Sequence, residues 1–212
     1  MRRRVAVLIS GRGSNLGALL AAARDPDYPA TVALVLSNRP DAPGLVLAAE
    51  AGAEVVCIDH RPFGRDRAAH ETAIHQALSE RGIELVCLAG YMRLLTPFLV
   101  DAWAGRMLNV HPSLLPAFPG LDTHARALAA GVKLHGCTVH LVAHEMDAGP
   151  ILAQAAVPVL PGDDEAALAA RVLAQEHRIL PHALRLLAAG QVGAGDPEAA
   201  LLNPLPGRRT GS

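Results

Sequence analysis

The segment Leu108–Pro116 runs from an apolar strand pattern into a proline-stiffened loop and holds Asn109 and His111 two positions apart. Strand alternation sends these two side chains to the same side of a sheet, at the strand end where open α/β sheets bind ligands. Transfer of an acyl or formyl group to an amine needs an amide donor for the oxyanion and a titratable group for the proton. Taken alone, the pair also fits an ordinary polar strand end capped by hydrogen bonds.

A second polar segment, 139–150, leads from a strand into an acidic loop closed by Gly149 and Pro150. Its Asp147 is the carboxylate best placed to partner an imidazole and to accept protons through water. The region also contains side chains that could ligate a metal: His135, His140, His144, Glu145 and Asp147. They lack the His-Glu-x-x-His spacing that places two ligands on one helix face, so we expect no metal.

The glycine-rich segment Ser10–Leu16 lies where the first strand should turn into the first helix. Glycines there let the backbone approach a ligand, and N–H groups at a helix start can hold an anion. The segment lacks the last glycine of the dinucleotide fingerprint and the Gly-Lys-Ser/Thr of a P-loop, so it fits a monophosphate better than NAD or ATP. A tight turn with Ser14 or Asn15 as an ordinary N-cap is the alternative interpretation.

Two further segments have residue types that suit a ligand. Arg93, flanked by Met and Leu after the fourth strand, could hold the carboxylate of a flat heteroaromatic molecule whose ring lies on the apolar groups. Core Met and Leu beside a surface Arg are the alternative. Glu176 lies on the last helix, where a solvated side chain is the more common outcome.

The scaffold that positions these segments is predicted to be α/β, because short apolar runs alternate with longer Ala/Leu helical patterns. We expect a mostly parallel sheet of about seven strands with helices on both faces. The predicted strands are Arg4–Ser10, Thr31–Ser37, Glu54–Ile58, Leu85–Ala89, Met107–Val110, Gly136–Val142 and Ile151–Val157. The predicted helices are Asn15–Ala23, Pro43–Ala51, Asp66–Arg81, Thr96–Trp103, His124–Ala130 and Asp164–Ala189. One domain is expected over 1–190 and a loosely ordered tail over 191–212.

Composition excludes several classes of protein. The formal net charge of −1 gives no general attraction to nucleic acid or to anionic membranes. No apolar stretch approaches the roughly 20 residues of a membrane-spanning helix, so we expect a cytoplasmic protein. The three cysteines, Cys57, Cys87 and Cys137, are far apart among apolar residues and are interpreted as buried, reduced thiols.

Four segments together resemble the phosphoribosylglycinamide formyltransferase family, whose donor is 10-formyltetrahydrofolate: Ser10–Leu16, Ala89–Leu95, Asn109–Pro116 and Asp147–Pro150. The resemblance covers nearly the whole chain and implies a single-domain, Rossmann-like formyltransferase fold. It further implies formyl transfer to the amine of glycinamide ribonucleotide in de novo purine biosynthesis, through a tetrahedral intermediate and without a metal.

Other functions share parts of this pattern. A 10-formyltetrahydrofolate hydrolase shares the central segment but normally has an extra N-terminal domain, whereas this chain begins at the first strand. A methionyl-tRNA formyltransferase would need a further C-terminal domain and a basic surface. A folate-binding or nucleotide-sensing module without activity is the non-enzymatic alternative. The oligomeric state is left open, with a homodimer as one option.

The resemblance also implies individual roles. The acceptor would be bound by Gly13, Ser14, Asn15 and Glu176. The folate would be bound by Arg67, Met92, Arg93, Leu94, Leu95 and Asn109. His111 would donate a proton and stabilise the oxyanion, while Asp147 would keep it protonated and relay protons through water. Two positions depart from the family pattern: the loop before Arg67 is longer, so Arg65 could replace it, and Asp122 stands where relatives often have His or Asn.

Overall fold

The computed structural model describes residues 1–192, which form one seven-stranded sheet with the strand order β3-β2-β1-β4-β5-β6-β7. The strands are β1 (Arg3–Ile9), β2 (Ala30–Ser37), β3 (Glu54–Cys57), β4 (Leu85–Leu88), β5 (Met107–His111), β6 (Leu134–Leu141) and β7 (Ile151–Pro158). Strands β1 to β5 pair in parallel, and β6 and β7 add antiparallel at one edge. The predicted mostly parallel sheet is confirmed.

Helices cover both faces of this sheet. They are α1 (Ser14–Ala22), α2 (Pro43–Glu50), α3 (Arg67–Glu80), α4 (Pro97–Ala102), α5 (Thr123–Ala129) and α6 (Glu165–Ala188), with a 3-10 turn at Arg61–Phe63 that was not predicted. Alternate residues of β1 divide between two cores: Val5, Val7 and Ile9 pack with α1 and α6, whereas Ala6 and Leu8 pack with α3 and α4. A strand buried on both faces therefore has a continuous apolar sequence.

The strand order reverses between β1 and β4, which are neighbours in the middle of the sheet. The N–H of Ser10, just after β1, donates to the carbonyl oxygen of Gly90, just after β4, over 3.1 Å. From this point the chain after β1 leads to α1 on one face and the chain after β4 leads to α4 on the other, and we refer to the carboxyl edge between these loops as the crevice. Such a switch point is where open α/β sheets bind ligands.

The interpretation of all three cysteines as buried thiols is wrong for Cys57. Cys87 and Cys137 are buried and free, and burial raises the pKa of the Cys87 thiol to about 12. Cys57 is exposed because it ends β3, which is an edge strand of the sheet formed by residues 1–192. An apolar neighbourhood in sequence does not reveal that a strand lies at the edge of its sheet.

Two expectations concern the ends of the chain and its relation to a membrane. Residues 193–212 lie outside the described residues, so the loosely ordered tail over 191–212 stays a prediction, as does the domain boundary at 190. None of the helices within residues 1–192 combines the length and the apolar character needed to cross a membrane.

Candidate active site

The glycine-rich turn between β1 and α1 is built by backbone packing. Gly13 caps α1 with a φ of 77°, in the left-handed region that favours glycine. A Cβ at Gly13 would lie 3.0 Å from the Cα of Gly44, whose N–H donates to the carbonyl oxygen of Gly11 over 3.1 Å. No side chain among residues 1–192 caps the start of α1. Its first N–H groups, those of Ser14 and Asn15 among them, can therefore hold an anion.

Helix α6 brings Glu176 against this turn. The Nδ2 of Asn15 donates to Glu176 Oε2 over 2.7 Å, across 161 positions of sequence. Glu176 is only 8% exposed, so the interpretation of it as a solvated helix residue is wrong. Burial raises the pKa of its carboxyl group, and the hydrogen bond from Asn15 partly offsets this effect. A buried carboxylate thus faces the place where the turn would hold an anion.

His111 and Asp147 form the centre of the crevice. Nδ1 of His111 lies 3.4 Å from Oδ2 of Asp147, and the two side chains are 7% and 9% exposed. The N–H of Gly120 donates to the same carboxylate oxygen over 2.8 Å. Asp147 itself adopts a φ of 56°, a conformation that costs an ordinary residue about 1 kcal/mol or more. The carboxylate is therefore fixed by its backbone and by a donor from another loop.

The second ring nitrogen of His111 faces the loop that follows β5. Nε2 lies 3.0 Å from the carbonyl oxygen of Phe118, a residue with a φ of 54°. Both ring nitrogens thus face oxygen atoms: the carbonyl oxygen of Phe118 accepts from Nε2, and Nδ1 faces the carboxylate of Asp147. The segment around Phe118 and Gly120 closes over the imidazole from one side.

Asn109 reaches the centre through His140, to which sequence reasoning gave no role beyond the rejected metal cluster. The antiparallel register of β5 and β6 places these two residues opposite each other, with Nδ2 of Asn109 3.2 Å from Nε2 of His140. Nδ1 of His140 donates to the carbonyl oxygen of Leu141 over 2.9 Å. Burial lowers the pKa of His140, so the neutral ring accepts at Nε2 and orients the Asn109 amide.

The loop after β4 presents apolar side chains to solvent. Met92 is 69% exposed and Leu94 61%, while Arg93 and Leu95 are half-buried. The N–H of Met92 donates to the hydroxyl of Ser10 over 2.9 Å, which joins this loop to the start of the glycine-rich turn. Exposed apolar groups beside a crevice are typical of a ligand surface.

Comparison with known proteins identifies the family. The sequence profile of the formyl transferase family matches residues 3–184. The chain belongs to the formyl transferase family. Phosphoribosylglycinamide formyltransferase of Escherichia coli (strain K12) is 44% identical over 188 residues, which cover 89% of this chain and 88% of that protein.

Other relatives of this chain are longer proteins. The trifunctional purine biosynthetic protein adenosine-3 of Bos taurus is 48% identical over 92% of the chain, which spans only 19% of that protein. Among solved structures, glycinamide ribonucleotide transformylase 1 from Symbiobacterium toebii aligns with a TM-score of 0.86 and 50% identity, covering 89% of each chain. Phosphoribosylglycinamide formyltransferase from Brucella melitensis aligns with a TM-score of 0.85 and 52% identity, covering 92% of this chain and 100% of that one.

Three residues named in the sequence analysis lie at the surface. Arg67 is the first residue of α3, and Arg65 precedes the N-cap Asp66, whose carboxylate accepts from the N–H of Ala69. Both arginines are exposed. Asp122 is exposed with a φ of 55° and caps α5 without a side-chain hydrogen bond.

Of the three histidines in the rejected metal cluster, His135 and His144 contact residues outside it, whereas Nε2 of His140 lies 3.8 Å from Oδ1 of Asp147. Exposed His144 pairs with Asp101 at 2.8 Å, away from Asp147. Nε2 of His135 lies 3.2 Å from Nδ1 of His124, and burial lowers the pKa of His135 to about 4. Within residues 1–192 there is no group of three or more His, Cys, Asp or Glu side chains that could hold a metal ion.

Proposed function

We propose that this chain transfers the formyl group of 10-formyltetrahydrofolate to the amine of glycinamide ribonucleotide, a step of de novo purine biosynthesis. The observation that supports this most is the position of His111, Asp147 and Asn109. They lie between a helix start with free N–H groups and an exposed apolar loop. The relatives of similar length are named for the same reaction.

The acceptor is proposed to bind on the glycine-turn side. Its phosphate accepts from the backbone N–H groups of Gly13, Ser14 and Asn15, because a helix start favours an anion. The carboxylate of Glu176 then contacts the ribose or the glycinamide end. A carboxylate repels a phosphate, so the buried Glu176 also sets the direction in which the acceptor enters.

The formyl donor is proposed to bind across the loop after β4. Its ring lies against Met92, Leu94 and Leu95, which lose solvent contact when the ligand covers them. Arg93 and Arg67 hold the carboxylate tail as paired donors. The formyl group then points to Asn109, at the boundary between the two binding sides.

The reaction follows from this placement. The amine nitrogen forms a bond to the formyl carbon, and the carbonyl electron pair moves to oxygen. The free N–H of Asn109 stabilises the resulting oxyanion, together with the Nε2–H of His111 once it leaves the carbonyl oxygen of Phe118. The amine proton leaves through water to Asp147, the bond from carbon to N10 of the folate breaks, and N10 takes up a proton supplied by His111. One proton leaves the acceptor and one reaches the folate, so the exchange balances.

A direct assay tests the proposal. The purified chain is mixed with 10-formyltetrahydrofolate, with and without glycinamide ribonucleotide, and deformylated folate is followed spectroscopically. Turnover that requires the amine supports the transferase. Turnover without it would mean a hydrolase, and binding without turnover would mean a sensor; either result contradicts the proposal.

Asp147→Asn tests the assigned chemistry. The amide keeps the size of the side chain and can still accept from the N–H of Gly120, so the fold is retained. The proton acceptor and the charged partner of His111 are lost, and turnover should fall by about 10²-fold with an altered pH profile, while both ligands still bind. Unchanged rates and pH profile in the variant would remove Asp147 from the mechanism.

A further inference from the structure

Glu71 is a buried carboxylate that the proposed reaction does not use. It lies on α3, is 3% exposed, and both of its oxygens accept hydrogen bonds from Thr96. The N–H of Thr96 donates to Oε1 over 2.8 Å, and the Thr96 hydroxyl donates to Oε2. Carboxylates are rarely buried so deeply unless a specific partner compensates for the lost hydration. The contact between Glu71 and Thr96 therefore joins α3 to the start of α4.

The hydroxyl of Thr96 does not cap its own helix, because it makes this contact with Glu71. It is the N-cap of α4, where a threonine hydroxyl ordinarily accepts from an N–H of the first helical turn. No such side-chain bond is formed, because the hydroxyl donates to Glu71 instead. The loop Met92–Leu95 ends directly before Thr96, so α3 holds the end of that loop.

The same helix carries Arg67. Arg67 and Glu71 are four positions apart on α3 and therefore lie on the same helix face, one turn from each other. Arg65 lies before the helix and does not share this register. At its other end the loop is held by Ser10, whose hydroxyl accepts from the N–H of Met92. Glu71 thus connects the helix of Arg67 to the loop of Arg93.

We propose that Glu71 is a positioning residue for the folate co-substrate. Its contact with Thr96 fixes the separation between Arg67 and the Met92–Leu95 loop, so that one ligand reaches both. Folate affinity then depends on a buried side chain beneath the binding surface, and Arg67 rather than Arg65 is the arginine placed by it. This inference rests on the proposed function.

The test compares variants of the full chain in the formyl-transfer assay, with calorimetric titration of 10-formyltetrahydrofolate alongside. Glu71→Ala removes both hydrogen bonds that hold the end of the loop, so the KM and Kd for the folate should rise about tenfold or more. The KM for glycinamide ribonucleotide and kcat should stay within about twofold. Glu80→Ala removes an exposed carboxylate from the same helix and should change neither KM.

Glu71→Gln provides the conservative rescue. Its amide oxygen can accept from the N–H of Thr96 while its NH₂ group donates to the hydroxyl, so both contacts persist. The folate KM should therefore stay near that of the wild type, although the charge is gone. A folate KM for Glu71→Gln as high as for Glu71→Ala would overturn a role based on geometry.

Double variants distinguish positioning from general destabilisation. If Glu71 places Arg67, the losses from Arg67→Ala and Glu71→Ala should be less than additive, whereas Arg65→Ala should add fully. Should Glu71→Ala fail to fold, Thr96→Val with Thr96→Ser as its matched rescue decides the question at the other end of the contact.

Two results would overturn the inference: an unchanged folate Kd in Glu71→Ala, or equal losses for both substrates. A wild-type chain without amine-dependent turnover would instead contradict the proposed function. The calorimetric titration still decides the role of Glu71 in that case, so the two failures are distinguishable.

Discussion

The two sides of the crevice are built in opposite ways. On the acceptor side and at the centre, buried or partly buried polar side chains already contact one another: Asn15 and Asn109 make hydrogen bonds to Glu176 and His140, and Nδ1 of His111 lies 3.4 Å from Asp147. On the folate side, Met92 and Leu94 are more than half exposed. One region is complete without a ligand, and the other leaves apolar surface for a ligand to cover.

This difference shows which region needs fixed hydrogen-bond geometry and which does not. Electrostatic stabilisation of a developing charge requires donors that are fixed before the reaction, so the centre is rigid and polar. An apolar ring gains affinity from the apolar area that it buries rather than from exact hydrogen-bond angles, so the protein surface that binds it can remain exposed until the ligand arrives. Substitutions at the centre should therefore change turnover, and substitutions in the exposed loop should change binding.

The largest effect is expected at the centre, where His111→Ala should lower kcat by about 10²–10³-fold. The oxyanion loses one fixed donor, and the departing folate nitrogen loses its proton source. Steady-state kinetics with both substrates should show the two KM values nearly unchanged. His144→Ala is the matched control, because that histidine is exposed and pairs only with Asp101 among the described residues. If His111→Ala instead raised the folate KM strongly and preserved kcat, the division between a catalytic centre and a binding loop would be wrong.

The acceptor side should be nearly as sensitive to backbone changes. Gly13→Val forces a branched side chain into a left-handed conformation and against the Cα of Gly44. The turn must move, and acceptor affinity measured by calorimetry should fall by more than about tenfold.

Gly17→Ala is the control for this prediction. Gly17 lies inside α1, where an added Cβ meets only the Leu47 side chain at 3.7 Å. Acceptor affinity should be unchanged in this variant, and thermal stability should rise slightly because alanine favours a helix. If Gly13→Val folds and binds the acceptor as the wild type does, the phosphate site lies elsewhere.

A smaller effect is expected on the folate side. Arg93→Ala should raise the KM for 10-formyltetrahydrofolate about fivefold, since a half-exposed ion pair is weaker than a buried one, and should leave kcat and the acceptor KM alone. Arg178→Ala removes an exposed arginine of α6 and serves as the control. Equal losses for both substrates in Arg93→Ala would indicate a disturbed fold instead.

The smallest effect concerns stability at Glu176. Its pKa is raised by burial, so the protonated carboxyl group favours the folded state below the ordinary value of 4.5, and this contribution is lost as pH rises through the folded-state pKa. Glu176→Gln should therefore be about 1 kcal/mol more stable near neutral pH, and the difference should vanish in acid. Thermal melts over a pH series measure this.

Acceptor kinetics complete the test of Glu176. The glutamine keeps the bond from Asn15 but lacks the charge, so the acceptor KM should rise about threefold while stability improves. A neutral-pH melting temperature equal to that of the wild type would mean that Glu176 carries no burial cost.

Much of the architecture followed from local patterns. The apolar run at the start of the chain predicted the first strand, and the Gly-rich turn predicted the start of α1. These features depend on side-chain periodicity and on backbone freedom, which a short stretch of sequence contains by itself. The spacing of Asn109 and His111 likewise follows from strand alternation alone.

Other features were decided only by the tertiary structure. His140 opposes Asn109 because β6 pairs antiparallel with β5 in one register, and a strand's partner is not written in its own sequence. Glu176 is buried because α6 crosses to the glycine turn, while Cys57 is exposed because β3 lies at the sheet edge. Local sequence determines which elements form. Burial and long-range pairing determine which polar side chains meet, because both depend on every other element being in place.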